Sequence, residues 1–155
     1  MSEEKWLRQC VDLAAQNVAD GGGPFGALVV HEGIVVGMGV NQVTPTLDPT
    51  AHAEVVAIRR ACKALNTFRL DDCLLVSSCE PCPMCLSSAL WARVSRVVYA
   101  ADRHDAAKAG FDDLAFYELF EQPRDTWSLP VAQMSEVDGY APFAAWLDRP
   151  DRVEY

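Results

Sequence analysis

Two short runs, His52-Ala53-Glu54 and Pro81-Cys82-Pro83-Met84-Cys85, constrain this chain more than anything else in it. One imidazole, one carboxylate and two thiols at Cys-x-x-Cys spacing make a metal donor set, and a fold that uses them must bring both runs together. Cys82 follows the apolar run 73–78, and Pro83 suits a first helical position, where its missing N–H would be unpaired anyway. Cys82 then opens a helix and Cys85 lies one turn along, so both sulfurs can face one point beside a helix N-terminus that favours thiolates. His52 opens another helix after the Asp48-Pro49-Thr50 turn. Structural zinc usually takes four protein donors, whereas three leave a place for water. Glu54 is then free to move that water's protons. A Cys-x-x-Cys alone also fits a redox pair or half of a four-cysteine structural site, and Glu54 alone fits a solvated helix residue. The pairing of H-x-E with P-C-x-x-C favours the catalytic reading.

The patterning around these runs predicts an α/β domain. Residues 3–20 carry Trp6, Leu7, Cys10, Val11, Leu13, Ala14 and Val18 at helical spacing, and Gly21-Gly22-Gly23 ends that helix. Two β-branched runs, 25–31 and 34–40, flank Glu32-Gly33, a hairpin signal. A polar loop over 41–49 precedes a helix over 51–65, a strand over 73–78, a helix over 83–93 and a strand over 94–101. Short helices over 106–110 and 113–120, a strand over 129–135 and a helical turn over 142–147 complete the expectation. Alternating strands and helices imply parallel neighbours, so the prediction is a three-layer α/β/α fold. Its core is a mixed five-stranded sheet sandwiched by helices, in a single domain over 1–155. Two helix starts at one edge of that sheet converge where ligands of parallel sheets bind.

Composition decides which partners remain. Thirteen basic against 22 acidic residues give a formal charge of −9, which argues against nucleic acid and for a small-molecule client. No apolar run reaches the roughly 18 residues of a membrane span, and the MSEEKW start is not signal-like, so no membrane partner and a cytoplasmic location are expected. In that reducing compartment Cys10, Cys62, Cys73 and Cys79 read as small core residues rather than disulfide partners.

H-x-E followed by P-C-x-x-C is the signature of zinc-dependent nucleobase deaminases. The runs DPTAHAEVVAIRRAC, SSCEPCPMCLSSALWARV and VVYAADRHDAAKAGFDD resemble bacterial guanine deaminases of the cytidine deaminase superfamily. The likeness runs from Gly23-Pro24-Phe25-Gly26-Ala27 through Asp113, and extends to Glu154-Tyr155. The resemblance implies a cytidine-deaminase-like fold with one Zn2+ per chain on His52, Cys82 and Cys85, and Glu54 as proton shuttle. It implies that the Ala53 and Cys82 backbone N–H groups hold substrate and attacking water, that Asn41 hydrogen-bonds a purine, and that Phe25 and Trp91 pack on its faces. Asp113 would contact the amino group and relay a second proton, and Tyr155 would close the pocket. A C-terminal segment from about residue 140 exchanged between subunits would make a homodimer. The residues alone also fit plainer roles: Phe25 and Trp91 as core, Asn41 as a loop cap, Asp112 and Asp113 as helix-starting acids, Tyr155 as a frayed end. The implied reaction is guanine to xanthine plus ammonia. Guanosine, cytosine or cytidine, an aminotriazine and the adenosine of a tRNA stand as alternative substrates. A catalytically silent zinc-stabilised scaffold is the non-enzymatic alternative.

Overall fold

The first helix, α1 (Glu3–Ala19), buries Trp6, Cys10 and Ala14, one residue per turn, the first two against Leu28, Val30 and Val76 of the sheet. The computed structural model describes residues 2–155. The buried stripe of α1 is narrower than its pattern of apolar residues, for Val11 and Val18 stay exposed. Gly21, at φ 91°, turns the chain away from the helix. Strands β1 (Gly26–His31) and β2 (Ile34–Val40) then form the expected hairpin. Glu32 and Gly33 both have positive φ, 49° and 80°, the two-residue turn whose twist matches that of the flanking strands.

A short helix, α2 (Val43–Thr46), lies within the predicted loop. It is followed by α3 (Ala53–Ala64), β3 (Cys73–Cys79), α4 (Pro83–Trp91) and β4 (Arg96–Ala101). The sheet order is β2-β1-β3-β4, with β1 antiparallel to both neighbours and β3 parallel to β4. Alternation along β1 sends Leu28 and Val30 toward α1, and Ala27 and Val29 toward a second cluster with Ala57, Ile58, Ala61, Leu75 and Ala89. Helices α3 and α4 therefore cover the face opposite α1, and the three layers are present as predicted.

What seats α3 so close to the sheet is a match of small residues. A Cβ added at Gly39 would collide with the Ala53 carbonyl oxygen, and one at Gly37 with that of Ala57. Ala53, Ala57 and Ala61, one turn apart and fully buried, form the helix's side of this contact. Gly39→Ala is expected to cost about 1–3 kcal/mol and to lower the thermal midpoint by several degrees, because backbone rather than a flexible side chain must move. An unchanged midpoint by calorimetry would mean that α3 sits farther out.

The sheet has four strands, not five. The predicted strand over 129–135 is irregular, and Leu129, Val131 and Met134 are 64%, 51% and 70% exposed. Its alternation is half-formed and Pro130 lacks the N–H a ladder needs, so the segment pairs with no described strand. Helix α5 (Arg103–Lys108) starts at a capping box in which Asp102 accepts from His104 and Asp105 N–H groups and Asp105 reaches back to Asp102. Helix α6 (Asp113–Glu121), a 3₁₀ turn (Arg124–Thr126) and α7 (Ala141–Leu147) follow.

The chain divides into two compact units, the first running to Tyr117 and the second spanning Glu118–Tyr155. The first contains the sheet and both helical layers. Within the second, Phe120 meets Trp127 edge-on at 5.1 Å, and Trp127 Nε1 donates to the Gln122 carbonyl at 3.1 Å. No residue of this second unit is buried. No helix among the described residues is long and apolar enough to cross a membrane.

Candidate active site

His52 occupies the N-cap of α3 and Cys82 the N-cap of α4, with Pro83 at the start of that helix as its missing N–H predicts. Cys85 follows one turn into α4 and is fully buried. His52 Nδ1 lies 3.5 Å from Cys82 Sγ and 3.4 Å from Cys85 Sγ. Among the described residues these three form the one group of His, Cys, Asp or Glu donors set to hold a metal, all within 4.8 Å of one another. Zinc bonds of 2.0–2.1 Å to nitrogen and 2.3 Å to sulfur, at tetrahedral angles, would put nitrogen and sulfur about 3.6 Å apart, so the donor set fits zinc. The charge state agrees. The Cys82 thiol is held well below the ordinary thiol range by the hydrogen bond from Cys85, aided by His52. Cys85, sharing its proton with Cys82 and buried, is pushed up. Thiols that lose a proton beside a histidine suit a cation, which binds thiolate and neutral imidazole.

Glu54, the second residue of α3, is 5% exposed, and its Oε1 accepts from the Ser77 hydroxyl at 3.2 Å. Burial raises its pKa. A buried carboxylate beside a cation site, and outside the donor set, is poised for proton transfer.

These groups open onto a cavity of about 410 Å³, at the small end of ligand pockets, lined among others by Phe25, Asn41, His52, Glu54, Cys82 and Asp113. Asn41 follows β2; its carbonyl accepts from Asn17 Nδ2 at 2.9 Å and its Oδ1 from the Val43 N–H at 3.2 Å. Asp113 is the first residue of α6, partly buried, and its carboxyl is pushed up by desolvation and by the Cys82 charge. Of the acidic pair, Asp113 lines the cavity while Asp112 is exposed and does not. Ala53 begins α3 between His52 and Glu54 and is fully buried.

One of the predicted contacts lies elsewhere, and another belongs to the second unit. Trp91 ends α4, is 63% exposed, does not line the cavity of its own chain, and has the Arg93 guanidinium 5.9 Å from its ring. Tyr155 belongs to the second unit and stands edge-on to Trp146 at 6.4 Å. Conversely, the cavity has walls that sequence reasoning missed. Phe111 meets Phe25 edge-on at 4.8 Å, and Glu80 lies beside the metal loop. Glu80 stands two residues before Cys82 and Phe111 two before Asp113, but no pattern in the sequence marks either as a wall. The other cysteines are free thiols, with Cys10, Cys73 and Cys79 buried as expected of core residues and Cys62 partly so.

Fold, donor set and adjacent carboxylate define a class, and comparison bears it out. Residues 1–101 match the cytidine and deoxycytidylate deaminase zinc-binding region, and the chain belongs to that family of zinc-dependent aminohydrolases. Over its full length it is a homologue of the guanine deaminase of Bacillus subtilis (strain 168), 47% identical with both chains wholly covered. The crystal structure of a Bacillus subtilis guanine deaminase matches with a TM-score of 0.96, covering 100% of this chain and 99% of that one. A guanine deaminase from Nitrosomonas europaea matches at 34% identity and a TM-score of 0.70, over 72% of this chain and 65% of that one. The tRNA-specific adenosine deaminase of Aquifex aeolicus (strain VF5) is 38% identical over 101 residues, 65% of this chain and 67% of the other.

Proposed function

We propose that this protein hydrolyses guanine to xanthine and ammonia. The observation that carries the reading is one cavity lined by Glu54, Asn41, Asp113 and two of the three zinc donors, His52 and Cys82, with Cys85 beside them, in a chain alike along its whole length to a guanine deaminase. When bound, zinc supplies a water acidic enough to attack at neutral pH. Glu54 takes a proton from that water and gives it to the departing amine as the ring carbon–nitrogen bond breaks. Burial suits Glu54 to this exchange, because its charged form is costly without a neighbouring cation and stabilised with one.

The remaining contacts orient the base. The Val43 N–H engages Asn41 Oδ1, so the Asn41 amide offers its NH2 group to a ligand. That donor matches the carbonyl oxygen at C6 of guanine and mismatches the amine that adenine carries there. Asp113 accepts from the purine N–H groups and relays the second proton. Phe25, braced by Phe111, packs on a ring face, and the Ala53 N–H, at a helix start, has no partner within the helix and is offered to the substrate. A chain of charge −9 suits a free base better than a tRNA. An ammonia-release screen over guanine, guanosine, cytosine, cytidine, adenine, adenosine and ammeline, with a tRNA control, is expected to give guanine the highest kcat/KM. A preference for any other member overturns the assignment.

The working form is a cytoplasmic homodimer acting through one catalytic domain per chain, with the segment from about residue 140 exchanged between subunits. Six free thiols accord with a reducing compartment. Phe120, Met134, Tyr140 and Phe143 are each more than 60% exposed in a unit that buries nothing, which accords with a surface that a second copy covers. A role for Trp91 on the base calls for that second copy, since within one chain it lies outside the cavity. Light scattering is expected to give twice the chain mass. Deleting residues 151–155 is expected to lower turnover about tenfold or more while shifting the thermal midpoint by only a few degrees. Normal turnover in the truncated chain would remove Tyr155 from the site.

A further inference from the structure

Two loops and helix α6 meet beside the metal donors. Glu80, just after β3, accepts hydrogen bonds from the Arg103 guanidinium at 2.6 and 3.1 Å and from the Arg103 backbone N–H at 3.0 Å. Its own N–H donates to the Ala101 carbonyl at 2.8 Å, which joins the loops that follow the parallel strands β3 and β4. The Arg103 guanidinium lies 3.5 Å from the centre of the Tyr117 ring. The Tyr117 hydroxyl donates to the carbonyl of Pro81, the residue before Cys82, at 2.6 Å. Tyr117 stands four residues after Asp113 on α6, so the two side chains share one face of that helix.

One phenol thus ties the loop that delivers Cys82 to the helix turn that delivers Asp113. We infer that Tyr117 is a positioning residue: its hydrogen bond to Pro81 sets the register of α6 against the metal loop and so fixes where Asp113 meets the base. This rests on the reading of Asp113 as a substrate contact. Arg103, anchored by Glu80, covers the ring and restricts its swing. Burial pushes the Tyr117 phenol up, which keeps the hydroxyl a donor toward a carbonyl that can only accept.

A double-mutant cycle between Tyr117→Phe and Asp113→Ala in the zinc-loaded protein tests this. Tyr117→Phe keeps the ring against Arg103 and removes only the hydroxyl. It is expected to retain about one zinc per chain and to lower kcat/KM for guanine roughly tenfold, as a small misplacement of a contact does. In the Glu54→Gln background, where guanine turns over too slowly to disturb a binding measurement, it is expected to raise the guanine Kd by a similar factor. Added to Asp113→Ala it should change kcat/KM by less than about twofold, because the group it positions is gone. A purely structural role would give the same loss with and without Asp113, and that result overturns the inference, as does an unimpaired Tyr117→Phe. A harmless Asp113→Ala overturns the substrate-contact reading itself and the positioning role with it. A damaging Asp113→Ala with an independent Tyr117→Phe loss overturns the positioning role alone.

Discussion

Glu54→Gln is expected to hold about one zinc per chain and to deaminate guanine about 10³–10⁴-fold more slowly than the unaltered protein, the span that positioned acid–base groups contribute. The substitution keeps shape and volume. The neutral amide still accepts from the Ser77 hydroxyl, now at 3.2 Å from Oε1, but it cannot take a proton from water or return one to a leaving amine. Glu54 is 5% exposed and its pKa is raised by burial, so the charged carboxylate is a burden on the metal-free fold. The variant is therefore expected to melt no lower than the parent once both are stripped of zinc. Loss of activity with metal and stability retained separates a catalytic role from a structural one. Metal analysis, calorimetry and a single-turnover assay check it, and full activity would remove Glu54 from the mechanism.

Cys85→Ser has the second large effect. The side chain is fully buried and its sulfur lies 3.4 Å from His52 Nδ1 and beside Cys82. Serine fills nearly the same space, but its hydroxyl does not ionise at neutral pH, so the site loses a thiolate without gaining a cavity. With His52 and Cys82 as the remaining donors, zinc is expected to leave on dialysis against a chelator, and turnover to fall on the order of 10³-fold or more. Circular dichroism should stay near that of the parent, because the core around α4 is built from Ala89, Ala92 and Leu75 rather than from the metal. A variant that retained zinc and turnover would show that Cys85 is not a ligand.

The metal centre was legible because its signals are local. Cys82-Pro83 at the end of an apolar run carries helix-start chemistry within four residues, and His52 follows a turn of the same kind. Donor type and spacing then left Glu54 as the free carboxylate. The hairpin at Glu32-Gly33 was legible for the same reason: two residues set the turn. The expected fifth strand was not, because pairing depends on a neighbouring edge that the 129–135 pattern cannot reveal. Trp91 shows the limit of periodicity on α4. Spacing places it on the metal helix, while only the packed structure shows that it is exposed and does not line its own cavity. Asp112 and Asp113 are indistinguishable as helix-starting acids, and the cavity separates them. Phe111, Glu80, Arg103 and Tyr117 matter through partners distant in the chain, such as Phe25 and Pro81, and no short-range pattern marks them.

The most direct test of the whole account is the stoichiometry of guanine turnover with and without zinc. With one zinc per chain, the protein is expected to release xanthine and ammonia in equal amounts. Chelation should stop both, and one equivalent of zinc should restore both. Guanine turnover that persists at full rate in the zinc-free protein, or zinc-loaded protein that releases ammonia from cytidine or adenosine but not from guanine, would contradict it.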